Sequence, residues 1–94
     1  MKKTEKIRRH QVTFQVAAET GSEVFLAGTF NDWNPSARKM KAKDGNGLFA
    51  TSMTLNPGRY EYKFVINGDW QIDQARPEWV PNDLGSLNSV LDVR

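Results

Sequence analysis

Gly58-Arg59-Tyr60-Glu61-Tyr62-Lys63-Phe64-Val65-Ile66-Asn67-Gly68-Asp69-Trp70 is the stretch whose reading decides the fold. From Arg59 to Asn67 the side chains alternate, with Tyr60, Tyr62, Phe64 and Ile66 on one side and Arg59, Glu61, Lys63 and Val65 on the other. A period of two marks a strand with one buried face. Asn56-Pro57-Gly58 precedes it as a tight turn, with Pro suited to the second position and Gly to the third. Asn67-Gly68-Asp69 follows as a hairpin turn, because Asn and Gly accept the positive φ that such turns demand. Trp70-Gln71-Ile72-Asp73 is then a short return strand.

The same grammar extends outward. Val12, Phe14 and Val16 alternate with Gln11, Thr13 and Gln15, a half-buried strand. After the turn Glu19-Thr20-Gly21-Ser22, Glu23 to Ala27 is apolar on both faces and so central or covered. Arg38-Lys39-Met40-Lys41 reads as a short edge strand, with Met40 inward and the lysines discouraging edge pairing. Asp44-Gly45-Asn46-Gly47 is a second hairpin turn, leading into Leu48 to Leu55, where Phe49, Thr51, Met53 and Leu55 share a face. Gln74 to Leu87, with Pro77, Pro81 and Gly85, reads as irregular; loops of this length are often functional. Ser89 to Val93 closes the chain as a last strand. About seven short strands and no helical periodicity predict an all-β, antiparallel, immunoglobulin-like β-sandwich.

Ninety-four residues make one domain, divided into a flexible basic tail over 1–9 and the sandwich over 10–94. The tail carries Lys2, Lys3, Lys6, Arg8 and Arg9 against Glu5, a net +4 in a chain of net +2, so the remainder is net −2. No basic-aromatic interleaving of the RNA-binding kind appears in the folded part, so no nucleic-acid partner is expected. There is no cysteine, no apolar leader behind Met1-Lys2-Lys3, and no run approaching the roughly 20 apolar residues of a membrane span. The expectation is a soluble, cytoplasmic protein without a membrane partner.

Catalytic chemistry finds little to use. His10 is the single histidine, no cysteine nucleophile exists, and no serine sits in a nucleophile-elbow pattern. Asp69 and Asp73 are a carboxylate pair only by proximity in sequence, and exposed solubilising groups explain both better. Asp44-Gly45-Asn46-Gly47 lacks the downstream bidentate Glu of a calcium loop. No catalytic residue, metal or cofactor is expected.

The aromatics remain. Trp33 lies in the polar turn Asn31-Asp32-Trp33-Asn34-Pro35, Trp70 follows a hairpin turn, and Trp79 sits in the long loop. An exposed indole can cover the apolar C–H face of a pyranose while amide, ammonium and backbone groups satisfy its hydroxyl rim. The same indole can instead cap one end of a sandwich. For Trp33 and Trp70 the residues alone support both placements equally; for Trp79, held between Pro77 and Pro81, they favour capping. Lys63, opposite Tyr62 and Phe64, is expected to point to solvent beside Trp70.

Three blocks in order carry a resemblance: Val24-Phe25-Leu26-Ala27-Gly28-Thr29-Phe30-Asn31-Asp32-Trp33, Gly58 to Trp70, and Leu84-Gly85-Ser86-Leu87-Asn88-Ser89-Val90-Leu91-Asp92-Val93. Together they resemble the glycogen-binding modules of carbohydrate-binding module family 48. Such modules occur in the β subunit of AMP-activated protein kinase and ahead of the catalytic barrel in isoamylases and branching enzymes. The resemblance implies an early-set sandwich that binds α-1,4-glucans without catalysing a reaction. It implies stacking by Trp33 and Trp70, hydrogen bonds from Lys63, Ser86 and Asn88, and a ring contact from Leu84. The family often has Thr where Ser86 stands and a second Asn where Ser89 stands. It also implies a kinase or a glucan-active enzyme as protein partner. A protein-interaction domain with weak or no sugar binding, and a fragment of an enzyme, are the competing readings.

Overall fold

The computed structural model describes residues 9–43, 45–76 and 78–94. Residues 1–8, and so nearly all of the expected basic tail, lie outside the described residues, as do Asp44 of the second hairpin turn and Pro77 of the long loop. Among the described residues eight strands follow one another: β1 (His10–Ala17), β2 (Val24–Gly28), β3 (Lys41–Ala42), β4 (Leu48–Leu55), β5 (Gly58–Ile66), β6 (Asp69–Gln71), β7 (Trp79–Pro81) and β8 (Leu87–Val93). All named pairs are antiparallel. They form a three-stranded sheet in the order β1-β4-β3 and a larger sheet in the order β2-β5-β8-β7, with β6 also paired to β5. The expected all-β sandwich is what the chain adopts.

The turns explain the pairings. Asn67 and Gly68 have φ of 51° and 87°, the consecutive left-handed pair that matches the twist of a two-residue hairpin. That turn sets Val65 opposite Trp70. On the far side of β5 the register places Ala27 opposite Lys63 and Gly28 opposite Tyr62. On the near side Tyr62 faces Ser89. Paired residues share a face, so Lys63, Val65, Trp70 and Asn88 lie on one surface of the larger sheet. Tyr62, Phe64 and Ser89 lie on the other.

That second surface meets the three-stranded sheet in the core. Phe14, Val24, Leu26, Met40, Phe49, Leu55, Tyr62, Phe64, Ile66 and Val93 form one buried cluster. Tyr62 packs edge-on against Phe14 and Phe64, at centroid separations of 5.0 and 5.9 Å. Such geometry aligns the positive ring edge with the negative face. The inward faces read from β1 and β4 are the ones buried, whereas from Tyr62 to Ile66 β5 is buried on both faces, Lys63 and Val65 included.

The chain departs from the expected pattern in three places. The segment around Met40 is not a simple edge strand. Arg38 and Met40 bond backbone to backbone with β2, whereas Lys41 and Ala42 pair with β4. The chain therefore crosses from one sheet to the other, and Met40 is buried at the crossing. Second, the stretch from Gln74 to Leu87 is not wholly irregular, because Trp79–Pro81 forms β7 against Leu87–Ser89. Its mixed Pro and polar composition hides a strand too short to show a period. Third, Asp73 is buried rather than a solubilising surface group. It accepts the Tyr62 hydroxyl proton at 2.6 Å, and its own N–H donates to Ser89 Oγ at 2.7 Å. Asp69 is exposed, as read.

Burial first, and then the bond to Asp73, push the Tyr62 phenol well above its ordinary value of 10.0. The folded state therefore keeps this proton where the unfolded chain loses it. The stabilisation is complete below about pH 10 and is lost progressively as pH rises above it. Titration of stability by urea unfolding should show a decline above pH 10, approaching about 1.4 kcal/mol per pH unit, that disappears in Tyr62→Phe. At neutral pH that variant should be less stable by about 1–3 kcal/mol, because the buried carboxylate loses a partner.

Candidate functional site

The outer surface of the larger sheet carries an open groove of about 530 Å³. It is lined by Trp33, Lys63, Trp70, Asn82, Leu84, Ser86 and Asn88. The six residues singled out from the sequence thus converge from four separate segments, joined by Asn82.

Trp33 is delivered by the turn after β2. Thr29–Asn31 forms one 3-10 turn, and Asp32 and Trp33 then take φ of 55° and 59°. Two consecutive non-glycine residues in the left-handed region each cost of order 1–3 kcal/mol, and such strain clusters at functional positions. Asn31 holds the turn in place. Its Oδ1 accepts from Gly28 N at 3.0 Å, and its Nδ2 donates to Leu26 O at 3.0 Å. Trp33 N closes the turn by donating to Gly28 O at 2.9 Å. Phe30, in the same turn, packs back against Phe14 and Tyr60. The turn therefore anchors one aromatic in the core and presents the next one outward.

The two groove indoles lie 6.5 Å apart, with their planes inclined by 44°. They form a bent aromatic floor rather than a flat one. Lys63 lies on the expected face of β5 but is not solvent-directed; only 9% of its surface is exposed. It lines the groove together with the two rings and the 82–88 loop, and its Nζ donates to Ser86 Oγ at 3.1 Å. Sequence alternation assigns the face but cannot see a loop folding over it.

That loop is organised by Asn82, which the sequence reading overlooked. Its Oδ1 accepts from Leu84 N at 2.9 Å and Ser86 N at 3.1 Å. Its Nδ2 donates to Ser86 Oγ at 2.8 Å and Asn88 Oδ1 at 2.9 Å. The available signal was Pro81-Asn82-Asp83-Leu84-Gly85, an Asx-turn composition. The result is a fixed loop whose tip, Leu84, is 91% exposed. Asn88 in turn donates through Nδ2 to Glu61 Oε1 at 3.0 Å, which fixes its amide.

Donor accounting shows what remains for a ligand. Ser86 Oγ already accepts from Lys63 and Asn82, so its own proton is free to donate outward. Lys63 keeps two of its three N–H donors beyond the Ser86 bond. The groove thus offers two indole faces, a leucine tip and convergent donors, which suits a ligand with apolar faces and a hydroxyl rim. Trp79 is absent from it, and with 49% of its surface exposed it does not cap the core as expected. Among the described residues no group of His, Asp and Glu could hold a metal ion. No helix among them is long and apolar enough to cross a membrane.

The family model describing the glycogen recognition site of AMP-activated protein kinase matches residues 10–94. Protein PTST homolog 2, chloroplastic, of Arabidopsis thaliana is 48% identical over 58 residues, covering 62% of this chain and 10% of the relative. Protein FLOURY ENDOSPERM 6, chloroplastic, of Oryza sativa subsp. japonica is 36% identical over 83 residues, 88% of this chain and 15% of the relative. The 5'-AMP-activated protein kinase subunit beta-1 of Sus scrofa is 32% identical over 74 residues, 79% of this chain and 57% of the relative. The chain thus spans less than two thirds of each relative. Two of them are named as chloroplastic, which overturns the expected cytoplasmic location. A chain without cysteine suits any reducing compartment, so composition could not choose among them.

Proposed function

The chain belongs to the family of the glycogen recognition site of AMP-activated protein kinase, and from that premise we propose that its groove holds an α-1,4-glucan without acting on it chemically. The observation that carries the assignment is the inclined pair of indoles, Trp33 and Trp70, flanking the Lys63 donor. An α-1,4-linked chain is curved, so successive glucose faces are inclined to one another. Two rings at 44° suit such a chain better than coplanar rings would. The unused donors of Ser86 and Lys63 face the hydroxyl rim, and Leu84 closes over the sugar from the loop side. Relatives named as kinase subunits support a module that works within a larger assembly, with a kinase as one class of protein partner.

Calorimetry with maltoheptaose and retention on immobilised glycogen test this directly. A dissociation constant of roughly 10 μM to 1 mM is expected, since a few stacked rings and hydrogen bonds must offset association costs. Absence of binding at millimolar oligosaccharide would overturn the reading.

Asn82→Ala examines the loop. The variant should stay folded, lose about 1 kcal/mol of stability, and bind maltoheptaose about fivefold more weakly because Leu84 and Ser86 are no longer held. Thermal melting and calorimetry on one preparation separate the two effects.

A further inference from the structure

The four exposed large apolar side chains among the described residues are Trp70, Trp79, Leu84 and Leu87. Two of them, Trp70 and Leu84, open onto the groove. The other two lie behind it. Trp79 pairs with Ser89 and Pro81 with Leu87, and Ser89 pairs with the core residue Tyr62. By strand alternation Trp79, Pro81 and Leu87 therefore share the core-side face of the larger sheet, whereas Val80, Asn82 and Asn88 share the groove side. The core-side face is covered elsewhere by the three-stranded sheet. At β7, the terminal strand of the larger sheet, it is not: Trp79 is 49% and Leu87 38% exposed.

We infer that Trp79, with Pro81 and Leu87, forms a second glucan platform, reached by a chain that leaves the groove past the Leu84 loop and bends around the edge strand β7. This rests on the glucan reading of the groove. The two faces are continuous. One two-stranded ribbon, β7–β8, carries the groove's Asn82, Leu84, Ser86 and Asn88 on or beside one face and a half-exposed indole on the other. No further element pairs with the outer edge of β7 among the described residues. A curved α-1,4-linked chain gripped on one side of a thin edge turns toward the other side, whereas a straight polymer would run off tangentially. An indole flanked by a proline and a leucine is chemically the same kind of platform as the groove floor. The platform makes affinity depend on chain length, as a tethered second contact does.

The test uses maltotriose as a short ligand and maltodecaose as a long one. Nuclear magnetic resonance of the wild-type protein reports each indole N–H separately. Trp33 and Trp70 signals should shift with either sugar, and the Trp79 signal only with the long one. By calorimetry Trp79→Ala should bind maltotriose as wild type does and maltodecaose about fivefold more weakly. A Trp79 signal unmoved by maltodecaose overturns the second platform and leaves the groove reading intact. So does an equal loss for both sugars in Trp79→Ala, or a Trp79 signal that moves with protein concentration alone, which would mark a second copy as the occupant. A wild-type protein that binds neither sugar overturns the groove reading itself.

Discussion

Trp33→Ala is expected to weaken maltoheptaose binding about thirtyfold, Trp70→Ala by a similar factor, and the double variant to abolish retention on glycogen. The arithmetic rests on area. A stacked indole removes roughly 80 Å² of apolar surface from water, about 2 kcal/mol at 25 cal/mol/Å², and each 1.4 kcal/mol is a factor of ten. The rings stand 6.5 Å apart and contact the same groove, so their losses need not add. Trp33 takes a left-handed backbone, a strain that alanine would share, and its side chain is only half-buried. Its replacement should therefore leave stability nearly unchanged. Calorimetry and thermal melting of each variant decide the matter. Unchanged affinity in both single variants would remove the indoles from the site.

Gly28→Ala is expected to cost about 3 kcal/mol of stability, lowering the melting temperature by roughly 15 °C for a domain of this size. The reason is space, not backbone freedom, because Gly28 is extended. A Cβ there would lie 2.5 Å from Glu61 O and 2.8 Å from the Phe30 ring. The carbonyl belongs to β5 and cannot move without opening the β2–β5 pairing. The ring is the core anchor of the Trp33 turn, and Gly28 itself accepts the Trp33 N–H. Affinity should fall with stability, since the strain propagates into the turn that presents the indole. Gly68→Ala is the contrast: a Cβ there meets open space, and only the positive φ of 87° is penalised. It should cost about 1 kcal/mol and leave binding unchanged.

Four residues owe their surroundings to segments distant in the chain. Alternation gives Lys63 its face but not its environment, because a loop more than twenty residues later supplies Ser86 to its ammonium. Asp73 looked like surface charge until Tyr62 and Ser89 closed around it. Asn82 gave a local turn signal, but its weight comes from reaching Ser86 and Asn88 together. Flanking prolines suggest a cap for Trp79. Its strand pairs at the rim of the larger sheet, where half of the indole surface stays exposed.

The sequence by itself determined the longer strands and their core faces, the hairpin turns and the family pattern that linked Trp33, Lys63, Trp70, Leu84, Ser86 and Asn88. Those are local matters: a period of two, a Gly or Asn where φ must be positive, a motif at fixed spacing. The tertiary structure alone decided which polar groups are buried, how the two groove rings are inclined, and where the larger sheet overhangs the smaller one. Each of those depends on segments that meet only after strand pairing has fixed their register. No short-range pattern of residue types carries that information.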